Sequence, residues 1–217
     1  MLLVVDIGNT STSAGLYRHG RVSSVHRLAT TEQTVRAVRR FVRAVAGTRW
    51  LSGAMIASVV PRLDGIWRKA LTGMVSGSLD FVTCRHALGV ALRYPEPASI
   101  GADRLANACG GVARYGKTLI VADFGTAVTF DVITRRGYEG GIIAPGLPLV
   151  FDYLAEKTAK LPHLHEANTR GPWGRTTRQA MQLGAGWGYP GLVRAILHEL
   201  KQNPNLGVPL FTMSGVI

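Results

Sequence analysis

The sequence predicts a duplicated α/β chain, and three observations carry that prediction. The segment from Leu3 to Gly20, which begins Leu-Val-Val-Asp-Ile-Gly-Asn-Thr, returns at 120–137 as Ile-Val-Ala-Asp-Phe-Gly-Thr-Ala. Both copies follow an apolar strand with an Asp, a Gly two positions on, then hydroxyl residues and a second apolar run, and in both the next Gly-centred turn lies 14 residues past the Asp. An offset of 117 residues between Asp6 and Asp123 is too long for a solenoid repeat and suits a duplicated domain. Finally, 217 residues with 47% hydrophobic content and 26 glycines can bury the cores of two small domains joined by many tight turns. The expected division is an N-terminal domain over 1–95 and a C-terminal domain over 96–217.

Residues 2–5, 12–17 and 22–28 alternate or run apolar around a turn at Gly20, the pattern of antiparallel strands in one sheet. Thr30 or Thr31 then caps a helix to about Ala46. Its apolar positions Val35, Val38, Phe41, Val42 and Val45 recur at helical spacing, with Arg36, Arg39, Arg40 and Arg43 on the other face. A strand over 54–59 is ended by Pro61, a helix covers roughly 62–75, and a short strand lies near 80–83. The second half opens with a helix over about 101–114. Strands at 118–122, 127–133 and near 138–143 form a second meander, stopped by Pro145-Gly146. A helix over 148–157 precedes a Pro-, Gly- and His-rich loop at 162–175. The helix over 177–202 carries Gly184, Gly186, Gly188 and Gly191, which would let another backbone approach one face closely. A last strand over 208–213 leads into Ser214-Gly215 without a following helix, so the second domain reads as truncated at its C-terminus.

The formal net charge is +12, from 25 Lys and Arg against 13 Asp and Glu. A solvated surface, attraction of an anionic substrate and nucleic-acid binding all accommodate that charge. The basic residues are scattered, with no aromatic-interleaved stripe and no Cys/His finger, so nucleic acid is not the expected partner. No apolar stretch is long enough for a membrane span, and the first residues form a strand carrying Asp6 rather than a leader with a basic start. Cys84 and Cys109 make neither a metal motif nor a disulfide framework, and a reducing cytoplasm is the expected compartment.

Asp6 and Asp123 each close an apolar strand and precede a Gly that lets a phosphate come near the backbone. A strand-end carboxylate there can hold Mg²⁺ through water, while Thr10, Ser11, Thr126 and the Ala127 amide can bond phosphate oxygens. An Asx-turn that merely ends a strand is the plainer reading of either copy. Building the same turn twice around the same Asp argues for function. Two such halves facing each other would bring both acidic turns to one cleft. Asp103, in Gly-Ala-Asp-Arg, stands in the first turn of a helix, where it either caps or serves as a general base toward a substrate hydroxyl. Arg104 could pair with a substrate carboxylate, or with an acid such as Glu96. Asp131 and Thr129 share one face of their strand, and Asp131 reads equally as a site-supporting or a core-edge acid. Lys157 and Lys160 read as solvated, His163 and His165 have only Glu166 beside them as a metal set, and Trp173 either covers a base or packs. No P-loop, dinucleotide-binding Gly-x-Gly-x-x-Gly or Gly-x-Ser-x-Gly elbow is present.

Taken in order, Asp6-Ile7-Gly8-Asn9-Thr10, Gly101-Ala102-Asp103-Arg104 with Asn107, Asp123-Phe124-Gly125-Thr126-Ala127 with Thr129 and Asp131, Gly140 through Leu147, and Thr158-Ala159-Lys160-Leu161-Pro162 resemble the type III pantothenate kinases. These belong to the acetate-kinase/Hsp70/actin-like superfamily, and the resemblance covers nearly the whole chain. It implies duplicated actin-like (ribonuclease H-like) domains with mixed five-stranded sheets. It also implies ATP-dependent phosphorylation of pantothenate to 4'-phosphopantothenate, the first step of coenzyme A synthesis, in a cytoplasmic homodimer that needs Mg²⁺ and a monovalent cation, K⁺ or NH4⁺. By position, Asp103 would be the base. Asp6 would sit by metal and phosphates, with Gly8, Asn9, Thr10, Gly125 and Thr126 around the nucleotide, and Asp123 would help hold the monovalent cation. Tyr94, Gly101 and Arg104 would line the pantothenate pocket, which Thr158 would reach from the facing subunit.

Four places depart from the family pattern. Val150 stands where Ser is usual, Tyr153-Leu154 where Ala-Leu is usual, Thr176 where Asn is usual, and Ser214-Gly215-Val216 where Thr-Gly-Gly is usual. They motivate the alternative of a catalytically inactive, nucleotide-binding or regulatory paralogue.

Overall fold

Alternation at the start of the chain buries Leu3, Val5 and Ile7 on one side of a strand and leaves Asp6 exposed on the other. In the computed structural model, which describes residues 1–31, 33–86, 88–116, 118–203, 206 and 210–214, this strand is β1 (Leu2–Ile7). It pairs antiparallel with β2 (Ser11–Arg18), which pairs with β3 (Arg21–Ala29). On its other edge β1 runs parallel to β4 (Gly53–Ser58), and β4 parallel to β5 (Leu79–Phe81). The sheet order is β3-β2-β1-β4-β5. Helices α1 (Val35–Ala46) and α2 (Pro61–Leu71) supply Val38, Phe41, Val42, Val45, Leu63, Trp67 and Leu71 to a core shared with Leu3, Val5, Ile7, Leu16 and Ile56. The α1 cap is Thr34 rather than Thr30 or Thr31: its side chain accepts from the Ala37 N–H, 3.2 Å away.

A short 3-10 turn, Pro97–Ser99, leads into α3 (Ala102–Tyr115). The second sheet repeats the first through the center. Strand β6 (Leu119–Phe124) pairs antiparallel with β7 (Ala127–Thr134), β7 with β8 (Gly137–Pro145), and β6 parallel with β9 (Leu210–Ser214). Its order β8-β7-β6-β9 holds four strands where five were expected, a count made on the described residues. The anticipated segment Gly215-Val216, and Val208 of the last strand, lie outside those residues. Gly137 opens β8, with the turn itself formed by Arg135-Arg136. Helices α4 (Leu147–Lys157) and α5 (Thr177–Gln202) follow. Tyr189, Leu192, Val193, Ile196, Leu197 and Leu200 of α5 pack on Ile120, Ala122, Val128 and Phe130. Among the described residues, Gly186 of its four glycines meets other backbone, since a Cβ there would run into Asn168 O, while Gly184, Gly188 and Gly191 have no described atom within 4 Å of that position.

The chain divides into two compact units, Met1–Leu88 with Pro95–Cys109, and Gly89–Tyr94 with Gly110–Ile217. Packing thus exchanges two short segments across the sequence midpoint.

Candidate active site

In the first unit, β1 delivers Asp6 one residue before its end, opposite Ser13 of β2 and Ala57 of β4. The chain then reverses through Gly8, Asn9 and Thr10, closed by the Gly8 N–H donating to Ser11 O at 3.0 Å. Asn9 and Thr10 are exposed, as a turn that meets a ligand must be. Gly8 sits close to Ser11 O, so a side chain there would crowd the reversal.

The same unit carries the Gly-Ala-Asp-Arg motif at the start of α3. Asp103 Oδ1 accepts from the Arg104 backbone N–H at 2.7 Å. That carboxylate folds over Gly101, where a Cβ would run into Oδ1 unless the Asp103 side chain moved. Glycine at 101 thus leaves the space that the Asp103 carboxylate occupies. A cleft of about 720 Å³ opens beside it, between the carboxyl ends of β4 and β5 (Ser58, Phe81) and Ser99, Gly101 and Ala102. Crevices outside the carboxyl ends of parallel strands are where open α/β sheets bind ligands. Ser58 donates to Asp64 Oδ1 at 2.6 Å on its wall.

The second unit repeats the acidic turn with one residue fewer. Asp123 lies opposite Thr129 of β7 and Ser214 of β9, and Gly125 N–H donates to Ala127 O at 3.0 Å. Gly146 N–H donates to Thr126 O at 2.9 Å, an approach only glycine permits because a Cβ would strike Gly125 O and Thr126 O. Tyr94 belongs to this unit. Its segment is bound to the edge strand β8 by Tyr138 N–H to Ala91 O and Arg93 N–H to Tyr138 O, both 2.8 Å. The Tyr94 ring lies edge-on to Tyr138, centroids 6.2 Å apart, and over Gly140, which has φ 131°. The Tyr138 hydroxyl donates to Asp131 Oδ1 at 2.8 Å, both residues fully buried. Asp131 is thus a core acid that anchors the seat of Tyr94. Sequence reasoning missed that seat, although Gly137-Tyr138-Glu139-Gly140, with an aromatic between glycines on an edge strand, signals it.

Thr158 is exposed at the end of α4, donating to Leu154 O at 2.8 Å and accepting from Leu161 N–H at 3.3 Å. His163 lies 2.6 Å from Asp152 Oδ1 with its ring stacked edge-on to His165 at 4.5 Å. Among the described residues, no group of three or more His, Cys, Asp or Glu could hold a metal ion. A site for Mg²⁺ that uses one carboxylate and the phosphates of a ligand needs no such cage, and the exposed strand-end oxygens of Asp6 fit that hard-oxygen role. The Asp123 carboxylate at the matching strand end offers the same oxygen chemistry to a monovalent cation.

A family model described as type III pantothenate kinase matches residues 2–199. A type III pantothenate kinase of Akkermansia muciniphila is 40% identical over 200 residues, covering 92% of this chain and 80% of the relative. One from Geobacter sulfurreducens is 36% identical over 208 residues, covering 93% and 82%. Among solved structures, a Baf family protein from Campylobacter jejuni superposes with a TM-score of 0.58 at 16% identity, covering 98% of this chain and 82% of that one. The ethanolamine utilization protein EutJ from Carboxydothermus hydrogenoformans gives 0.53 at 14% identity, covering 98% and 75%. At such identities the likeness is one of fold.

Proposed function

The chain belongs to the type III pantothenate kinase family, and we propose that its ATP-dependent phosphorylation of pantothenate runs through Asp103 as the general base. The Asp103 carboxylate, bonded to the Arg104 N–H and lying over Gly101 at the start of α3, is the observation that supports this reading most directly. Asp103 takes the proton of the pantothenate primary hydroxyl as that oxygen bonds to the γ-phosphorus of ATP and the bridging oxygen leaves with ADP. In a loose phosphoryl transfer, aiming the hydroxyl matters as much as basicity. Arg104, next on the helix, pairs with the pantothenate carboxylate, and Tyr94 and Gly101 line the same substrate.

Asp6 with Gly8, Asn9 and Thr10, and Gly125 with Thr126, orient the phosphates of the nucleotide. Asp6 would hold Mg²⁺ and Asp123 a monovalent cation, K⁺ or NH4⁺. When bound, these ions supply positive charge to the phosphate oxygens. Activity resides in a homodimer in which Thr158 of a second copy offers its remaining Oγ1 lone pair to the pantothenate pocket. Exposed Ile143, Leu149, Tyr153 and Trp187 support such an assembly. The protein works in the cytoplasm, in keeping with the absence of any described helix long and apolar enough to cross a membrane.

Asp103→Asn keeps size and shape but cannot take the proton. A coupled ADP-release assay with pantothenate, ATP, Mg²⁺ and K⁺ is expected to show kcat lowered by about 100-fold or more, with ATP binding and circular dichroism as in the parent. Turnover within a few-fold of the parent would remove Asp103 from the base role.

A further inference from the structure

One residue, Thr30, holds two carbonyls of the Gly8–Thr10 turn. Its backbone N–H donates to Thr10 O at 3.0 Å and its hydroxyl to Gly8 O at 2.7 Å. Thr30 is fully buried, and a hydroxyl has one proton, so Thr30 Oγ1 meets Thr12 Oγ1, 3.2 Å away, as the acceptor. Thr12, its proton committed to Thr30, in turn accepts from Gln33 Nε2 at 2.8 Å. The other Gln33 amide hydrogen goes to Ala29 O at 3.0 Å, and Gln33 Oε1 accepts the Trp67 indole N–H at 2.7 Å. Every hydrogen in this set has one destination. The relay therefore runs one way, from Trp67 on α2 through Gln33, Thr12 and Thr30 to the carbonyl of Gly8, and it also fixes the orientation of the Gln33 amide.

The other acidic turn keeps only half of this arrangement. Gly146 N–H donates to Thr126 O as Thr30 N–H donates to Thr10 O, but position 146 has no side chain and no room for one. One turn is clamped from the core by a hydroxyl. Its counterpart rests directly on bare backbone.

We infer that Thr30 is a positioning residue for the nucleotide: its hydroxyl pins Gly8 so that the turn presents Asn9 and Thr10 to the ATP phosphates already ordered. This rests on the reading of Gly8–Thr10 as a nucleotide-binding turn. A turn ordered before binding does not lose conformational entropy on binding, so the clamp acts on ATP affinity. It makes no direct contact with either substrate.

Thr30→Val tests it, because Val keeps the branched shape and the backbone N–H while deleting the hydroxyl. KM for ATP is expected to rise about tenfold, the scale of one lost buried hydrogen bond, with kcat and KM for pantothenate at saturating ATP unchanged. Thr30→Ser, which restores the hydroxyl, is expected to return KM for ATP to the parent value. Trp67→Phe cuts the far end of the relay and is expected to lower Tm without moving KM for ATP, which separates positioning from stability. If Thr30→Val is insoluble, Thr30→Ala is measured by the same criteria. The inference is overturned if the hydroxyl-free variant leaves KM for ATP unchanged, if it raises both KM values alike, or if Trp67→Phe raises KM for ATP as much. Thr10→Ala is assayed beside them. A parent KM for ATP in Thr10→Ala sinks the nucleotide-turn reading itself, whereas a raised one with Thr30→Val unchanged sinks only the clamp.

Discussion

The Glu139 carboxylate, in the stretch of β8 that seats Tyr94, accepts the Thr134 hydroxyl at 2.6 Å and the Arg136 guanidinium at 3.0 Å. The Thr134 hydrogen bond is the largest cause and holds its pKa below the ordinary glutamate value; burial, next in size, opposes it, and Arg136 and Arg93 add to the lowering. A lowered folded-state pKa stabilizes the fold above the unfolded value, and that contribution is lost as pH falls through the folded one. The expected outcome is a Tm difference between the parent and Glu139→Gln that is present at neutral pH and shrinks below about pH 4.5. A difference that grows on acidification would reverse the assignment. Single residues are also where sequence reading met its limit. The place of Asp103 in the first turn of α3 was legible because a motif of four adjacent residues carries it. In sequence Thr30 stands only beside Thr31 as a candidate helix cap, since a buried hydroxyl's partner on a turn about 20 positions earlier leaves no local mark.

Helix α1 shows the same limit one level up. Its apolar spacing identified the buried face correctly, with Val38, Phe41, Val42 and Val45 in the core. Its start was misjudged because Thr30, Thr31 and Thr34 all have cap chemistry, and only the chain path decides which side chain reaches a free N–H. Thr34→Ala is expected to cost about 1 kcal/mol of unfolding free energy in urea denaturation, the usual worth of a Ser or Thr cap, whereas Thr31→Ala, exposed and outside the cap, is expected to change little. Equal losses for the two would contradict the Thr34 assignment. Long periodic elements were the most legible, and α5 spans Thr177–Gln202 as its pattern indicated. Its glycines were less so. Helical spacing says which residues share a face, not what faces them, and one of the four touches other backbone within the chain.

At the scale of the whole molecule, the duplication visible in sequence is also a duplication of pairing. The acid of each copy stands one residue before the end of a strand flanked by an antiparallel and a parallel neighbor, with Ser13 and Ala57 beside Asp6, and Thr129 and Ser214 beside Asp123. The repeat was readable because a strand, an acid and a glycine turn are local. The exchange of Pro95–Cys109 and Gly89–Tyr94 between packing units was not, because it is decided by contacts such as Tyr138 with Ala91 and Arg93 that join residues more than 40 positions apart. The net charge of +12 is another property of the whole chain. Pantothenate and ATP are both anions, so a positive field raises their local concentration and their association rate. Screening shortens that field from about 30 Å at 0.01 M salt to about 3 Å at 1 M. Between those limits, with every other assay component held constant, kcat/KM for both substrates is expected to fall steeply while kcat at saturation stays level. A flat profile would mean that the basic residues serve only to solvate the surface, and a kcat that falls in parallel would place the salt effect at the chemical step rather than at encounter.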